Sequence, residues 1–149
     1  MARSVNPYTQ EIFGEYVSMN PSVIDSKILN TSLAQIAWAK LSLALRLEKV
    51  RTIGFQLLRS KQELALLAAR EMGKPIAQGI QEVEKCAWTI ESLCDQAPEM
   101  LADIHISTEA SISFVRHAPV GVVLGIMPWN YPFWQAIRYV IPALISGNG

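Results

Sequence analysis

The sequence has no surplus of either charge: thirteen Lys and Arg balance thirteen Asp and Glu, and only 17% of its 149 residues are charged. Without a basic patch or an acidic tail, nucleic acid and anionic membrane are poor candidate partners. No uninterrupted apolar stretch reaches the roughly 18 residues of a membrane span. Met1-Ala2-Arg3-Ser4 leads into polar residues with no apolar h-region, so no secretion signal is expected and the cytoplasm is the default location. Cysteine is nearly absent. Cys86 and Cys94 lie eight residues apart in what reads as one helix, which separates them by about 12 Å of rise. That is beyond the roughly 7 Å Cα separation a disulfide tolerates. There is no CxxC and no Cys/His cluster, and His105 and His117 are too far apart in a strand-and-turn region to suggest a metal site. Neither GxGxxG nor GxxxxGK[ST] occurs, so no phosphate-cradling loop is present.

Apolar residues make up 50% of the chain, enough for one domain with a sizeable core. Asn6-Pro7-Tyr8-Thr9-Gln10 is a turn, and Ile12, Tyr16 and Val17 follow around Gly14 as a small hairpin or edge strand. Asn20-Pro21 starts a helix, with Asn as N-cap and Pro at the first helical position. Val23, Ile24, Ile28, Leu29, Leu33, Ile36 and Ala37 recur along it at helical spacing. Leu43, Leu47, Val50, Ile53 and Leu57 mark a second helix. Ser60 and Glu63 have the spacing of a capping box for a third, which Gly73 ends ahead of Pro75. A fourth, longer helix carries Ile80, Val83, Ala87, Ile90 and Leu93 inward and frays near Pro98. Ile106, Ile112, Phe114 and Val115 among Ser, Thr and Arg read as a strand with one wet face. These apolar stripes are expected to be core.

The chemistry concentrates near the end. Residues 121–127 form an apolar run of buried-strand type, broken at Pro128-Trp129-Asn130-Tyr131-Pro132 and followed by a helix that stops on Gly147-Asn148-Gly149. Strand, stiff corner and helix make half of a βαβ unit. Ligands of open α/β sheets bind at the carboxyl ends of such strands. The two prolines remove two N–H donors and fix the backbone around Asn130. Its amide could stabilise a developing oxyanion, or could only satisfy its own turn, which the local physics favours. Along the helix, Phe133, Ile137, Val140 and Leu144 form a core stripe, and Tyr131, Trp134, Gln135 and Arg138 form another. Arg138 either snorkels to water or faces a pocket whose anion suits its bidentate fork.

At this corner the sequence resembles the aldehyde dehydrogenase superfamily, in order along the whole chain. Asn6-Pro7-Tyr8-Thr9-Gln10-Glu11 is similar to that family's opening Asn-Pro-Ala-Thr-Gly-Glu turn. Trp38 with Arg46, Glu71-Met72-Gly73-Lys74-Pro75 and Arg116-His117-Ala118-Pro119-Val120-Gly121-Val122 match further segments. Pro128-Trp129-Asn130-Tyr131-Pro132, with Pro142-Ala143-Leu144 and Gly147-Asn148, is the most specific piece. The resemblance implies NAD(P)-dependent oxidation of an aldehyde to a carboxylic acid. A cysteine thiolate attacks the aldehyde, hydride leaves to the nicotinamide, and a glutamate-activated water hydrolyses the thioester.

By that match Asn130 is the catalytic oxyanion donor, and Ile126, Met127, Pro128, Trp129 and Asn130 line the NAD or NADP site. Tyr131, Trp134 and Arg138 meet the substrate. An Arg eight residues after the motif Asn is similar to that of succinate-semialdehyde dehydrogenases, where it holds the distal carboxylate. The resemblance further implies an α/β fold, with residues 1–149 as the N-terminal helical portion and first strand-helix of a Rossmann-like NAD(P)-binding domain. Residues 106–118 resemble a strand used in homo-oligomer assembly. The family's nucleophilic cysteine, glutamate and Gly-rich loop follow the motif Asn and would lie beyond Gly149. The chain alone is therefore expected to be inactive, and neither Cys86 nor Cys94 is the nucleophile. A non-catalytic helical interaction module is the other function considered.

Overall fold

The computed structural model describes residues 1–149. It opens with an antiparallel hairpin, β1 (Ala2–Val5) on β2 (Ile12–Tyr16). Asn6 makes the turn, its Oδ1 accepting from the backbone N–H of Tyr8 at 2.9 Å and of Thr9 at 3.2 Å. This is the side-chain mimicry that favours Asn in such turns. Gln10 closes it at φ 61°, the chain's one non-glycine residue in the left-handed region.

Four helices follow: α1 (Pro21–Ala39), α2 (Leu43–Arg59), α3 (Lys61–Met72) and α4 (Ile76–Met100). Asn20 caps α1 by accepting from Ser22 N–H at 3.1 Å. Ser60 makes no side-chain cap, so the expected capping box is absent. Its φ of −97° and ψ of 9° make it a hinge between α2 and α3, and its backbone carbonyl accepts from Leu64 N–H at 2.9 Å. Gly73 ends α3 at φ 73°, where a Cβ would be strained. Helix α4 runs through Pro98 and ends at Met100, close to the expected end.

The core is built on α4, which packs on α2, α3 and α5 (Pro132–Ile145). Val50, Ile90, Cys94, Ala97, Ile141 and Ile145 are buried together, with Leu43, Leu47, Ile53, Leu57, Leu93, Ile137 and Leu144 packed round them. The buried face of α5 is thus Ile137, Ile141 and Ile145, and Val140 of the expected stripe is 40% exposed. Helix α1 departs most from expectation, since none of its residues is buried. Val23, Ile24, Ile28, Leu29, Leu33 and Ile36 face solvent because no element packs over them. The end of α1 is anchored by two side-chain donors: Trp38 Nε1 to Leu144 O at 2.8 Å, and Gln35 Nε2 to Gly147 O at 2.9 Å.

Residues 106–118 do not form one strand. Two-residue strands β3 (Ile104–His105) and β4 (Phe114–Val115) pair antiparallel. The polar residues between them bond locally, Thr108 Oγ1 with Ser113 Oγ at 2.6 Å and with Ala110 N–H at 3.2 Å, which closes a loop in place of a longer ladder.

Residues 121–127 are not buried either. Leu124 and Ile126 are 85% and 87% exposed. The run is held at one end only, where Val123 N–H donates to Gly149 O at 2.8 Å and Gly149 N–H to Gly121 O at 3.0 Å. Bonds slanting to either side of one residue are those of parallel pairing, so Gly149 lies beside the run in parallel register. The register is set by Asn148, a buried side chain whose Oδ1 accepts from Val120 N–H at 2.7 Å and Gly121 N–H at 3.1 Å. Further along, the Tyr139 ring lies so close to Gly125 that a Cβ there would meet it at 2.5 Å, a close approach open only to glycine. The corner and helix are therefore present, but the expected buried strand is not: residues 121–127 are an extended, exposed run, because only Gly149 pairs with it.

Candidate functional site

Pro132 sits at the start of α5, and Tyr131 before it makes no side-chain cap. The exposed N–H groups that every helix start leaves over are satisfied from α4. Glu82 Oε1 accepts from Phe133 N–H and from Trp134 N–H, both at 2.9 Å. A carboxylate is also the charge that the positive end of a helix dipole favours. The other oxygen, Oε2, is ion-paired with Lys74 Nζ, and the two side chains are 2% and 5% exposed. Lys74 stands between left-handed Gly73 and Pro75, which turn the chain from α3 into α4 and aim the lysine inward. Its Nζ also lies 3.9 Å from the centre of the Tyr131 ring, a cation–π contact. The Lys74–Glu82 pair therefore grips the chain at Tyr131, Phe133 and Trp134, immediately after Asn130.

Sequence reasoning missed this pair. In the sequence Lys74 stands out only within a family-like motif, and no local pattern marks Glu82. The available signal was one acidic residue at position 82, directly beside Val83 on the inward-facing stripe of α4.

Asn130 itself is exposed, and its side chain makes no hydrogen bond. The alternative in which its amide merely closes its own turn finds no such bond. The corner separates two grooves. On one side a polar groove of about 580 Å³ is lined by Lys74, Gln78, Gln81, Glu82, Lys85, Tyr131, Trp134 and Gln135. It unites Tyr131 and Trp134, as their spacing suggested. Arg138 is not among its lining residues; it is exposed and makes no ion pair. On the other side, Trp129 lines a more apolar groove of about 490 Å³ with Pro7, Leu67, Ala68, Met72 and Phe133. Ile126 and Pro128 are exposed along the extended run, and Met127 is 37% exposed.

Both cysteines are free and buried. Burial, reinforced by the charge of Glu82 and only partly offset by Lys85 and Lys74, pushes the Cys86 thiol up to about 12. Burial also raises Cys94. A thiol held protonated is a poor nucleophile, so both act as small core residues. No helix is long and apolar enough to cross a membrane.

The aldehyde dehydrogenase family profile matches residues 1–149. A probable NADP(+) succinate-semialdehyde dehydrogenase of Synechocystis sp. is 37% identical over 145 residues, covering 97% of this chain and 32% of that protein. The NAD(P)+ succinate semialdehyde dehydrogenase Sad of Escherichia coli is 36% identical over 152 residues, covering 99% and 32% respectively. Among solved structures, succinic semialdehyde dehydrogenase from Streptococcus pyogenes with NADP+ superposes with a TM-score of 0.92 at 26% identity, over 98% of this chain and 32% of the other. Gox0499 superposes with a TM-score of 0.94 at 26% identity and the same coverage. The chain thus spans about a third of the length of the relatives it matches. It has the α/β fold of their N-terminal portion, mostly helical with small strands. With the family profile matching the whole of residues 1–149, the chain belongs to the aldehyde dehydrogenase family.

Proposed function

We propose that this chain supplies one wall of the active site of an NAD(P)-dependent dehydrogenase that oxidises an aldehyde, succinate semialdehyde or a close analogue, to its carboxylic acid. The observation that carries this reading is Asn130. Its amide is exposed and unbonded, while the residues just after it are locked by Lys74 and Glu82. A neutral donor that is free to bond, on a backbone that cannot relax, is what stabilisation of a developing oxyanion requires. In this role Asn130 donates an N–H to the aldehyde oxygen as negative charge builds there.

Ile126, Met127, Pro128 and Trp129 form the cofactor wall. Their exposed, apolar side chains offer a surface for the cofactor to lie against. NAD or NADP, when bound, supplies the hydride acceptor. The curated relatives' names, which specify NADP(+) or NAD(P)+ and succinate semialdehyde, support both cofactor and substrate. Tyr131 and Trp134 line the substrate side of the corner. Residues 1–149 act as the N-terminal part of the NAD(P)-binding domain. The exposed Ile106, Ile112, Phe114 and Val115 within 106–118 offer an apolar surface for homo-oligomer assembly. A purely helical interaction module is not favoured by a family match over the entire chain.

The test has two parts. The 149-residue chain alone forms no NADH or NADPH from succinate semialdehyde, because its only thiols are buried and held protonated. In the complete enzyme, Asn130→Ala lowers kcat by about 10²–10³, the loss that follows removal of one oxyanion donor, with KM little changed. Full activity in that variant would overturn the role given to Asn130.

A further inference from the structure

Residues 128–130, the part of the corner that carries the oxyanion donor, make no hydrogen bond of their own. Before them, the run 121–127 is hydrogen-bonded only at its start, through Gly149 and Asn148. After them, the hold comes from two side chains elsewhere in the chain. Glu82 Oε1 accepts from the N–H groups of Phe133 and Trp134, and Oε2 is ion-paired with Lys74. The same lysine meets the Tyr131 ring at 3.9 Å from its centre.

A helix start is ordinarily capped by the residue just before it, which ties the helix to nothing distant. Here Tyr131 gives no cap, and Pro132 has no N–H to offer. The cap crosses 51 residues from α4, where Val83, Cys86 and Ile90 around Glu82 are buried in the core. A carboxylate suits the positive end of α5, and Lys74 supplies its countercharge. For stability alone, an apolar pair of similar volume would serve about as well as a buried ion pair. An apolar pair could not bind two N–H groups, and so could not set where α5 begins.

We propose that Glu82 is a positioning residue of the oxidation, acting through Asn130, and that Lys74 orients it. This rests on the dehydrogenase reading, and in particular on the oxyanion role of Asn130. Both oxygens of Glu82 are already engaged and its side chain is 2% exposed, so its effect on the reaction is indirect. Glu82 fixes the Phe133 and Trp134 N–H groups, these fix Pro132 and Tyr131, and the corner so fixed directs the Asn130 amide. A displacement of about 1 Å in such a donor can cost on the order of 10² in rate.

The test is a double-mutant cycle in the complete enzyme. Glu82→Gln keeps the size of the side chain and one acceptor oxygen, and is expected to lower kcat by about 10–100-fold. KM should stay within about twofold, since the interaction weakened is one made in the transition state. Added to Asn130→Ala, the same substitution should lower kcat by less than about a further twofold, because the donor it positions is gone. A merely structural role would give the same fractional loss in both backgrounds. Equal losses, or an unchanged kcat in Glu82→Gln, would therefore overturn the proposal. Lys74→Met keeps both N–H bonds to Glu82 and carries the cycle if Glu82→Gln does not fold. Its loss of kcat should be smaller and should likewise vanish with Asn130→Ala; an undiminished loss there would also overturn the proposal.

A second readout needs no turnover. In the 149-residue chain, Glu82→Gln should lower the order of the Asn130 and Tyr131 backbone amides in nitrogen-15 relaxation and leave the amides of α2 unchanged; unaltered order at the corner would count against the positioning role. If Asn130→Ala leaves kcat unchanged, the oxyanion reading falls and the positioning role with it. A loss of kcat in Asn130→Ala with none in Glu82→Gln removes the positioning role alone.

Discussion

Removing the charge of Glu82 should cost more than removing that of Lys74, and the two losses should not add. Glu82 and Lys74 are 2% and 5% exposed, and breaking a buried pair by deleting one partner costs about 3–5 kcal/mol, because the other charge is left uncompensated. The consequences differ on the two sides. In Lys74→Met the carboxylate keeps its two N–H donors at 2.9 Å and the positive end of α5. Part of its charge therefore remains stabilised, and the loss falls near the lower end of the range. In Glu82→Gln the amide oxygen can still accept from Phe133 and Trp134, but Lys74 is left buried with only the Tyr131 ring for company. That loss falls near the upper end. The double variant leaves no orphan charge, so it should be more stable than the sum of the single losses by about 2 kcal/mol or more. Urea unfolding of the four proteins, followed by far-ultraviolet circular dichroism, measures all three quantities. Additivity within about 0.5 kcal/mol would refute the argument that the pair acts as a unit.

The remaining predictions are more local. Cys86, pushed up to about 12 by burial, should resist iodoacetamide at pH 8 in the folded chain and react once the chain is unfolded. Its folded value lies above its unfolded one, so this thiol's contribution to stability is complete below pH 9.0 and is lost as pH rises from there towards 12; Cys86→Ala should flatten that alkaline decline, and an unchanged decline would count against it. Gln10→Gly should raise stability by up to about 1 kcal/mol, because it relieves a non-glycine left-handed residue; a loss in thermal melting would show that the Gln10 side-chain bond to Pro7 O at 2.8 Å outweighs the backbone strain. The Thr89 hydroxyl is buried with no partner, so Thr89→Val should stabilise by about 1 kcal/mol, and destabilisation in urea melts would mean that the hydroxyl is satisfied after all.

Much of the fold is legible because it is local. Asn20-Pro21, Gly73-Lys74-Pro75 and the stripe of Val83, Ala87 and Ile90 act through capping, left-handed backbone and helical periodicity within a few residues. Where the reading failed, a distant partner decided the outcome. Helix α1 has an apolar periodicity that promises burial, but periodicity states which side of a helix is apolar, not whether anything covers it. The run 121–127 has strand composition, yet pairing is tertiary, and only Gly149 lies alongside it. At the site, the corner was legible from two prolines and a family-like motif. The role of Glu82 was not, since its bonds reach across 51 and 52 residues to Phe133 and Trp134.

That long reach bears on how the corner can work. Prolines 128 and 132 restrict φ at two positions, but they leave the peptide units between them free to take more than one arrangement. What selects one arrangement is α4, through a carboxylate that binds the first turn of α5 and a lysine that meets the Tyr131 ring. The same helix buries Val83, Cys86, Ala87 and Ile90 on its inner face. Core packing thus fixes the position of α4, α4 fixes Glu82, and Glu82 fixes the start of α5 and the corner attached to it. A corner placed in this way is tied to the hydrophobic core through α4, although Asn130 itself is exposed and makes no hydrogen bond. A substitution that shifts α4 in its packing would therefore reach the site through Glu82 without altering any residue of the corner.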